Sequence, residues 1–210
     1  MLVLGLDTAT PAVSVALVSF GERLLAERVV VDARAHGELL AAGIEQALAE
    51  AGAQRGDLDA VAVGLGPGPF TGLRVGIVTA AVLGDALGLP TYGICSLDAL
   101  GEGARLAVTD ARRKEVYWAA YDDNGRCVDG PGVALPSEVA QLWPELPVVG
   151  DGAQVHAGAF AGREVLAHPR YPSAARLAEL AVAGGVTTLT PRYLRRPDAQ
   201  VPGPVKPVTA

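Results

Sequence analysis

The polar residues best placed to hold a phosphate or a metal ion follow the first apolar run of the chain. Residues 4–6 lead into Asp7, with Thr8 and Thr10 close behind. An Asp at the carboxyl end of a strand could hold a hydrated magnesium ion, and the two hydroxyls could contact a phosphate. The same Asp and Thr residues, with Pro11, could equally form a turn that binds nothing. We therefore expect at most a weak phosphate or nucleotide site at Asp7, Thr8 and Thr10.

A loop rich in glycine and proline, residues 64–69, joins a second apolar run to a long helical pattern. This is the setting of loops that capture phosphate at a helix N-terminus. Pro69 stands where the third glycine of such a loop is required, no Gly-Lys-Ser/Thr sequence follows, and Pro67 and Pro69 remove two N–H donors. Docking of a partner through Phe70, nucleotide binding and a purely structural turn all stay open. Thr71 is predicted to cap the helix that follows.

The helical pattern at residues 73–87 carries small residues four apart on one face, namely Gly76, Ala80 and Gly84. Glycine in a helix costs roughly 1 kcal/mol relative to alanine. Such a stripe therefore indicates that another backbone comes very close. That backbone could belong to the chain's own sheet or to a helix of a partner, and the sequence leaves both open.

Signatures of metal-dependent or nucleophilic catalysis are absent from the sequence. His36, His156 and His168 lack the spacing of a helical pair of metal ligands. His36, which precedes a helical pattern, is predicted to be solvated. No Gly-x-Ser-x-Gly sequence occurs, and Cys95 lies at the end of an apolar strand. The residues therefore predict neither a catalytic group nor a metal site.

Composition narrows the class of protein further. Of 210 residues, 50% are hydrophobic, which excludes a disordered chain, and the formal net charge of -6 argues against strong nucleic-acid binding by the chain alone. Two cysteines, Cys95 and Cys127, are too few for a disulfide framework or a Cys-rich zinc site. Neither a signal peptide nor a membrane-spanning stretch is recognisable. A soluble, cytoplasmic protein is predicted.

The order of predicted elements occurs twice along the chain. In each half an apolar run ends in an Asp, at Asp7 and at Asp110, and a strand and a turn follow. Periodicity predicts strands at 13–18, 24–31, 61–66, 91–95 and 116–121, and helices at 39–51, 73–87, 136–142 and 174–183. Meander strands followed by alternating helices and strands predict an α/β fold of mixed sheets with helices on both faces.

The duplication predicts two lobes with a cleft between them. The predicted parts are a first lobe with docking helices, a second, reduced lobe and a Pro-rich, extended or disordered tail, at residues 1–100, 101–196 and 197–210.

Five segments in the same order resemble the TsaB (YeaZ) family of bacterial proteins, and they span nearly the whole chain. They read LGLDTATPAVSVAL, GLGPGPFTGLRVG, DARRKEVYWAAY, GDGA and PRYLRRPDA. The resemblance implies an actin-like (ASKHA) fold of two RNase-H-like lobes. That expectation agrees with the duplication found from the residues.

The resemblance also implies an accessory role in tRNA modification. The related enzyme TsaD transfers a threonylcarbamoyl group to the adenosine next to the anticodon of tRNAs reading codons that start with A, and it binds a metal through a His-x-x-x-His pair. This sequence lacks that pair. A non-catalytic activator that acts with TsaD and the ATPase TsaE, and meets tRNA only in their complex, is therefore implied. It needs no cofactor of its own, although a nucleotide (ATP or ADP) at the TsaD interface and a homodimer of the isolated chain stay open.

Members of the family pair through helices of the first lobe, so the expected partner surface lies on the two helical patterns of that lobe. Its candidate residues are Leu39, Ile44, Phe70, Gly76, Ala80 and Gly84. A stand-alone actin-like ATPase or kinase is the second hypothesis, weakened by the missing lysine in the glycine loop. A glycoprotease-like peptidase is the third and weakest, because zinc ligands and an activated nucleophile are both missing.

Overall fold

Two mixed sheets form the frame of the molecule, and the computed structural model describes residues 1–21 and 23–195. The predicted tail at 197–210, together with Arg196, lies outside the described residues.

The first sheet has five strands and carries two long helices on one face. Its antiparallel meander of β1 to β3 continues into β4 and β5, which run parallel to β1, in the spatial order β3-β2-β1-β4-β5. The elements in chain order are β1 (Leu2–Asp7), β2 (Ala12–Ser19), β3 (Arg23–Val31), α1 (His36–Ala51), β4 (Ala60–Gly64), α2 (Phe70–Leu87) and β5 (Thr91–Ile94). Both faces of the central strands are buried, which explains why they read as continuous apolar runs.

The second sheet repeats this plan in reduced form. Strands β6 to β8 form an antiparallel meander, and the two-residue β9 pairs parallel to β6 as β4 pairs with β1. The elements are β6 (Arg105–Asp110), β7 (Val116–Tyr121), β8 (Cys127–Ala134), α3 (Pro136–Val139), β9 (Val148–Val149) and α4 (Asp151–Val155). Asp7 and Asp110 therefore end the equivalent strand of each sheet, as the duplication predicts. The helix predicted at 136–142 is shorter than expected.

The last helix, α5 (Ala174–Gly184), corrects the predicted lobe boundary. Leu177 and Ala178 pack in one cluster with Val3 of β1, on the face of the first sheet opposite α1 and α2. The carbonyl of Ala174 lies so close to Gly5 that any Cβ there would overlap it. Residues 174–193 thus return to the first lobe, although their position predicted the second, whereas Leu194 and Arg195 contact the second lobe. Sequence periodicity shows which face of a helix is apolar, but not which sheet that face covers.

The small-residue face of α2 packs against the chain's own lobe, which decides the question that the sequence left open. A Cβ on Gly76 would overlap Oγ1 of Thr8, and a Cβ on Gly84 would overlap Oγ1 of Thr91. Ala80, between them, is fully buried. The prediction that Gly76, Ala80 and Gly84 contact a partner is therefore wrong, because they are covered from inside.

Among the described residues, α2 is also the one helix whose length and apolar composition would allow it to cross a membrane. Of its residues, 33% are buried inside the protein, and the small-residue face is among the buried part.

Replacing Gly84 with leucine should destabilise the fold, because the new side chain has no room beside Thr91. We expect Gly84→Leu to lower the free energy of unfolding by about 3 kcal/mol or more. Ala81→Leu, on the exposed face of the same helix, is the matched control and should stay within about 0.5 kcal/mol of the parent. Chemical denaturation of the isolated chain measures both. Equal stability of the two variants would contradict the packing described.

Candidate functional site

The carboxyl group of Asp7 is enclosed by the first lobe. Oγ of Ser96 donates a hydrogen bond to one carboxyl oxygen at 2.6 Å, and the backbone N–H of Ala9 donates to the other at 2.9 Å. Only 1% of Asp7 is exposed, and its side chain lies so close to Gly64 that a Cβ there would overlap it. Both oxygens thus have partners inside the protein.

Burial raises the pKa of Asp7 from 3.8 to about 6, although the hydrogen bonds from Ser96 and Ala9 and the nearby His36 oppose the rise. The group is therefore easier to protonate than an ordinary carboxyl group. Ser96 Oγ also accepts a hydrogen bond from the N–H of Gly66 at 3.1 Å. Asp7 and Ser96 consequently tie the end of β1 to the loop that begins α2.

The hydroxyl groups of Thr8 and Thr10 are likewise engaged within the lobe. Thr8 Oγ1 donates to the carbonyl of Gly72 at 2.8 Å and accepts from the N–H of Gly76 at 3.1 Å. Thr10 Oγ1 accepts from the N–H of Ala12 at 3.2 Å. The predicted phosphate residues are therefore neighbours, but their polar atoms position α2 and the β1–β2 turn.

Two local predictions about the helix starts are wrong. His36 is half-buried rather than solvated, and its Nε2 lies 2.9 Å from the carbonyl oxygen of Thr10. Thr71 does not cap α2, because the helix already begins at Phe70 and its N-cap residue is Pro69, which has no side-chain donor or acceptor. Neither α1 nor α2 has a side-chain hydrogen bond at its N-cap.

A cavity of about 200 Å³ opens beside the starts of α1 and α2, and residues of both lobes line its wall. Arg34 and His36 line it from the first lobe, and Arg112 lines it from the turn after β6. Thr8 and Thr10 also line it, whereas Asp7 does not. The described residues that form its wall include these two arginines and no carboxylate, although Arg112 also lies 3.9 Å from Oδ2 of Asp110.

The end of β6 in the second sheet is equivalent to the end of β1 in the first, and a smaller cluster of polar side chains lies there. Asp110 lies 3.2 Å from Nε2 of His156, and Asp151 is 3% exposed with one carboxyl oxygen unpaired. Burial is the main reason that the pKa of Asp151 is raised to about 6. Across residues 1–21 and 23–195, no group of three or more His, Cys, Asp or Glu side chains is arranged to hold a metal ion.

The remaining partner residues predicted from the sequence divide between core and surface. Ile44 is 5% exposed within the core cluster, so its prediction as a contact residue is wrong, and Leu39 is half-buried against the same cluster. Phe70 is half-exposed, as its loop predicts. The exposed apolar residues of α2 are instead Val78 and Val82, opposite its small-residue face.

Sequence reasoning missed an aromatic cluster at the start of α2. The ring of Phe70 stacks on that of Tyr193 with centroids 4.9 Å apart, and the Arg74 guanidinium lies 3.8 Å from the Phe70 centroid. Nε of Arg74 also donates to the hydroxyl of Tyr193 at 3.3 Å. Tyr193 lies in the PRYLRRPDA segment, but nothing in that segment alone shows that it packs on the first lobe.

Comparison with known proteins identifies the family. The sequence model described as TsaD, tRNA N6-adenosine threonylcarbamoyltransferase, matches residues 24–189. The solved structure of YeaZ from Pseudomonas aeruginosa is 32% identical, with a TM-score of 0.76 over 92% of this chain and 99% of that one. The chain belongs to the TsaB (YeaZ) family. This likeness also confirms the predicted two-lobed, actin-like fold.

Two sequence relatives extend the comparison. An uncharacterized protein of Mycobacterium tuberculosis (strain ATCC 25618 / H37Rv) is 52% identical over 203 residues, which cover 94% of this TsaB-family chain and 93% of that protein. The tRNA threonylcarbamoyladenosine biosynthesis protein TsaB of Escherichia coli (strain K12) is 38% identical over 135 residues, 60% of this chain and 58% of its own length.

The buried Asp7 predicts a pH-dependent stability. Its folded-state pKa lies above its ordinary value, so the folded protein binds this proton more tightly than the unfolded chain does. The stability that the protonated group contributes is complete below pH 3.8 and is lost as the pH rises through about 6. Asp7→Asn stays neutral at every pH. Its free energy of unfolding should therefore increase relative to that of the parent by roughly 1 to 3 kcal/mol as the pH is raised from about 4 to about 7.

Denaturation curves at several pH values test this expectation. Asp123→Asn, at an exposed turn of the second lobe, is the control and should follow the parent throughout. The account of Asp7 is contradicted if the difference between Asp7→Asn and the parent stays constant over the same range.

Proposed function

We propose that this chain is a non-catalytic partner and activator of TsaD in tRNA threonylcarbamoyladenosine formation. It acts with TsaD and TsaE on the adenosine next to the anticodon of tRNAs that read codons starting with A, in the cytoplasm. The names of its relatives and its membership of the TsaB family support the pathway.

The apolar residues on the exposed face of α2 are the main support for a role in binding a partner protein. Val78 and Val82 are 57% and 61% exposed, one turn apart and opposite the face that packs on the sheet. With Phe70 and Arg74 they form a stripe, and a shallow groove of about 510 Å³ lies along its first half. An exposed apolar stripe with an aromatic residue and an arginine at one end is typical of a protein–protein contact.

The charges on this stripe favour a homologous helix that packs antiparallel. Arg74 lies near the start of α2 and the exposed Asp85 near its end, about 16 Å apart at the helical rise of ~1.5 Å per residue. An antiparallel helix with the same charge order would bring opposite charges together at both ends. TsaD is homologous to this chain, since its family model matches residues 24–189, and a TsaD helix with the same charge order would meet this condition. Without TsaD, a second copy would meet the same condition.

The contacts of Asp7 and Thr8 support a role without catalysis. Asp7 is bound by Ser96 and Ala9, and the hydroxyl of Thr8 is shared between two backbone groups. A group whose hydrogen bonds hold the fold together is not available to activate a phosphate or a water molecule. We therefore expect no turnover of ATP or peptide by this chain alone.

Introducing a charge into the stripe should weaken binding to TsaD. We expect Val78→Glu to weaken the association at least tenfold, because a carboxylate would be buried in an apolar contact without a partner. Val155→Glu, at an equally exposed valine of the second lobe, is the matched control and should bind as the parent does. Complex mass by light scattering measures both. Normal association of Val78→Glu with TsaD would refute this surface.

The proposed lack of catalytic activity can be tested by measuring ATP hydrolysis. ATP hydrolysis by the isolated chain should not exceed the background of the buffer, and Asp7→Ala should leave that result unchanged. Turnover at an enzymatic rate that Asp7→Ala removes would overturn this part of the proposal in favour of an actin-like ATPase.

A further inference from the structure

The outer edge of β3 differs from the other sheet edges of the described residues. At β5, Val186 forms an antiparallel bridge with Gly93, and beside β9, Val165 pairs parallel with Val148. β8 contains Pro131, and its pairing with β7 is irregular. Such features keep a sheet edge from adding a strand. β3 has no proline, and among residues 1–21 and 23–195 it pairs with β2 alone.

The last three residues of β3 are exposed valines. Val29, Val30 and Val31 are 49%, 45% and 56% exposed. The N–H of Asp32 donates to the carbonyl of Pro11 at 3.0 Å, and hydrogen-bonded pairs alternate along an antiparallel ladder. Val30 therefore bonds to β2, whereas the backbone N–H and C=O groups of Val29 and Val31 point away from it. An exposed apolar edge with outward-pointing backbone groups is a template for a further strand.

The sequence of β3 is complementary to itself in one antiparallel register. A two-fold axis through the edge pairs two copies of β3 so that directly opposite residues lie on the same face of the sheet. With the axis at Val30, Val29 of one copy lies opposite Val31 of the other, and their outward backbone groups exchange hydrogen bonds. Arg28 of each copy then lies opposite Asp32 of the other. Opposite charges in this arrangement stabilise a strand pair.

The neighbouring registers lack this match. With the axis at Glu27 or at Arg28, that charged residue would face its own copy, which is destabilising. With the axis at Val29, both charged residues would face valines. With the axis at Val31, Arg28 would face Arg34. The register centred between these last two is therefore the one that the charges select.

Arg28 and Asp32 each have one partner within the chain and can accept a second. Arg28 forms an ion pair with Glu50 of α1, and Oδ1 of Asp32 accepts a hydrogen bond from the N–H of Arg34. A guanidinium carries five N–H donors and a carboxylate carries two acceptor oxygens, so neither group is saturated by these contacts. Both residues are exposed at the strand edge.

A groove of about 470 Å³ beside β3 extends the apolar surface on the face that α5 covers. Val29, Tyr171 and Pro172 are among the residues that line it. In the register centred on Val30, the Val31 side chain of a second copy lies next to Val29 on this same face. It would therefore pack against the groove, which adds apolar contact to the backbone hydrogen bonds.

We infer that two copies of this chain associate through their β3 edges, in the antiparallel register centred on Val30, and so join two five-stranded sheets into one. The inference goes beyond the proposed function and does not depend on it. Because α2 packs over β1 and β4, its exposed stripe is separate from the β3 edge. A pair formed through β3 leaves the surface proposed for TsaD accessible.

The experiment measures the mass of the isolated chain by light scattering over a range of protein concentrations. Every sample carries Val78→Glu, which removes self-association through α2, and this background should still form a dimer. Arg28→Asp and Asp32→Arg should each weaken the dimer at least tenfold, because each substitution places like charges opposite one another at two positions.

A mixture of the two variants tests the register itself. In a mixed pair, the introduced aspartate faces the introduced arginine, and the native Asp32 of one chain faces the native Arg28 of the other. The mixture should therefore regain the dimer mass, which also shows that both variants fold. Arg55→Asp is the matched control, because Arg55 likewise pairs with a glutamate of α1, Glu45, away from the β3 edge. It should dimerise as the background does.

Three results would overturn the inference. The first is a monomer at every concentration for the chain that carries Val78→Glu alone, which would leave the edge to an extended segment of another protein. The second is dimerisation of Arg28→Asp and Asp32→Arg as tight as that of Arg55→Asp. The third is a mixture of the two variants that stays monomeric. TsaD is absent from all samples, so none of these results bears on the proposed function.

Discussion

The hydrogen bond between Ser96 and the buried carboxyl group of Asp7 is the interaction on which the rest of the first lobe depends. It joins the end of β1 to the segment after β5, and through Gly66 it fixes the loop from which α2 starts. Thr8 then holds the first turns of the helix through Gly72 and Gly76. Residues that sequence alone would assign to ligand binding have instead become the framework for a helix. The surface that this helix presents to solvent is therefore rigidly placed.

The two faces of α2 have different roles. One face is made of small residues, which lets the helix lie close to its sheet, and the other presents valines to solvent. The C-terminal segment strengthens this arrangement, since Tyr193 stacks on Phe70 while Arg195 reaches the turn after β6 in the second lobe. Residues 193–195 therefore connect the start of α2 to the turn after β6 in the second lobe.

Much of the fold could be predicted from the sequence, because each half repeats an apolar run ending in an Asp, and buried strands and apolar helix faces leave periodic signals. The lobe that α5 joins could not, since periodicity does not identify the sheet that a helix covers. Within the site, Asp7, Thr8 and Thr10 were found, but their engagement by Ser96 and Gly72 depends on contacts 89 and 64 residues apart along the chain. Ile44, Gly76 and Gly84 were placed on the right helices but on the wrong side, since a stripe of residues does not reveal which neighbour covers it.

The most direct test of the central claim is threonylcarbamoylation of a tRNA transcript by TsaD and TsaE, with and without this chain. The account predicts little modification by TsaD and TsaE alone, full modification when the parent chain or Val155→Glu is added, and no gain from Val78→Glu. Equal modification in all four reactions would contradict the claim that recognition of TsaD through α2 is what this chain contributes.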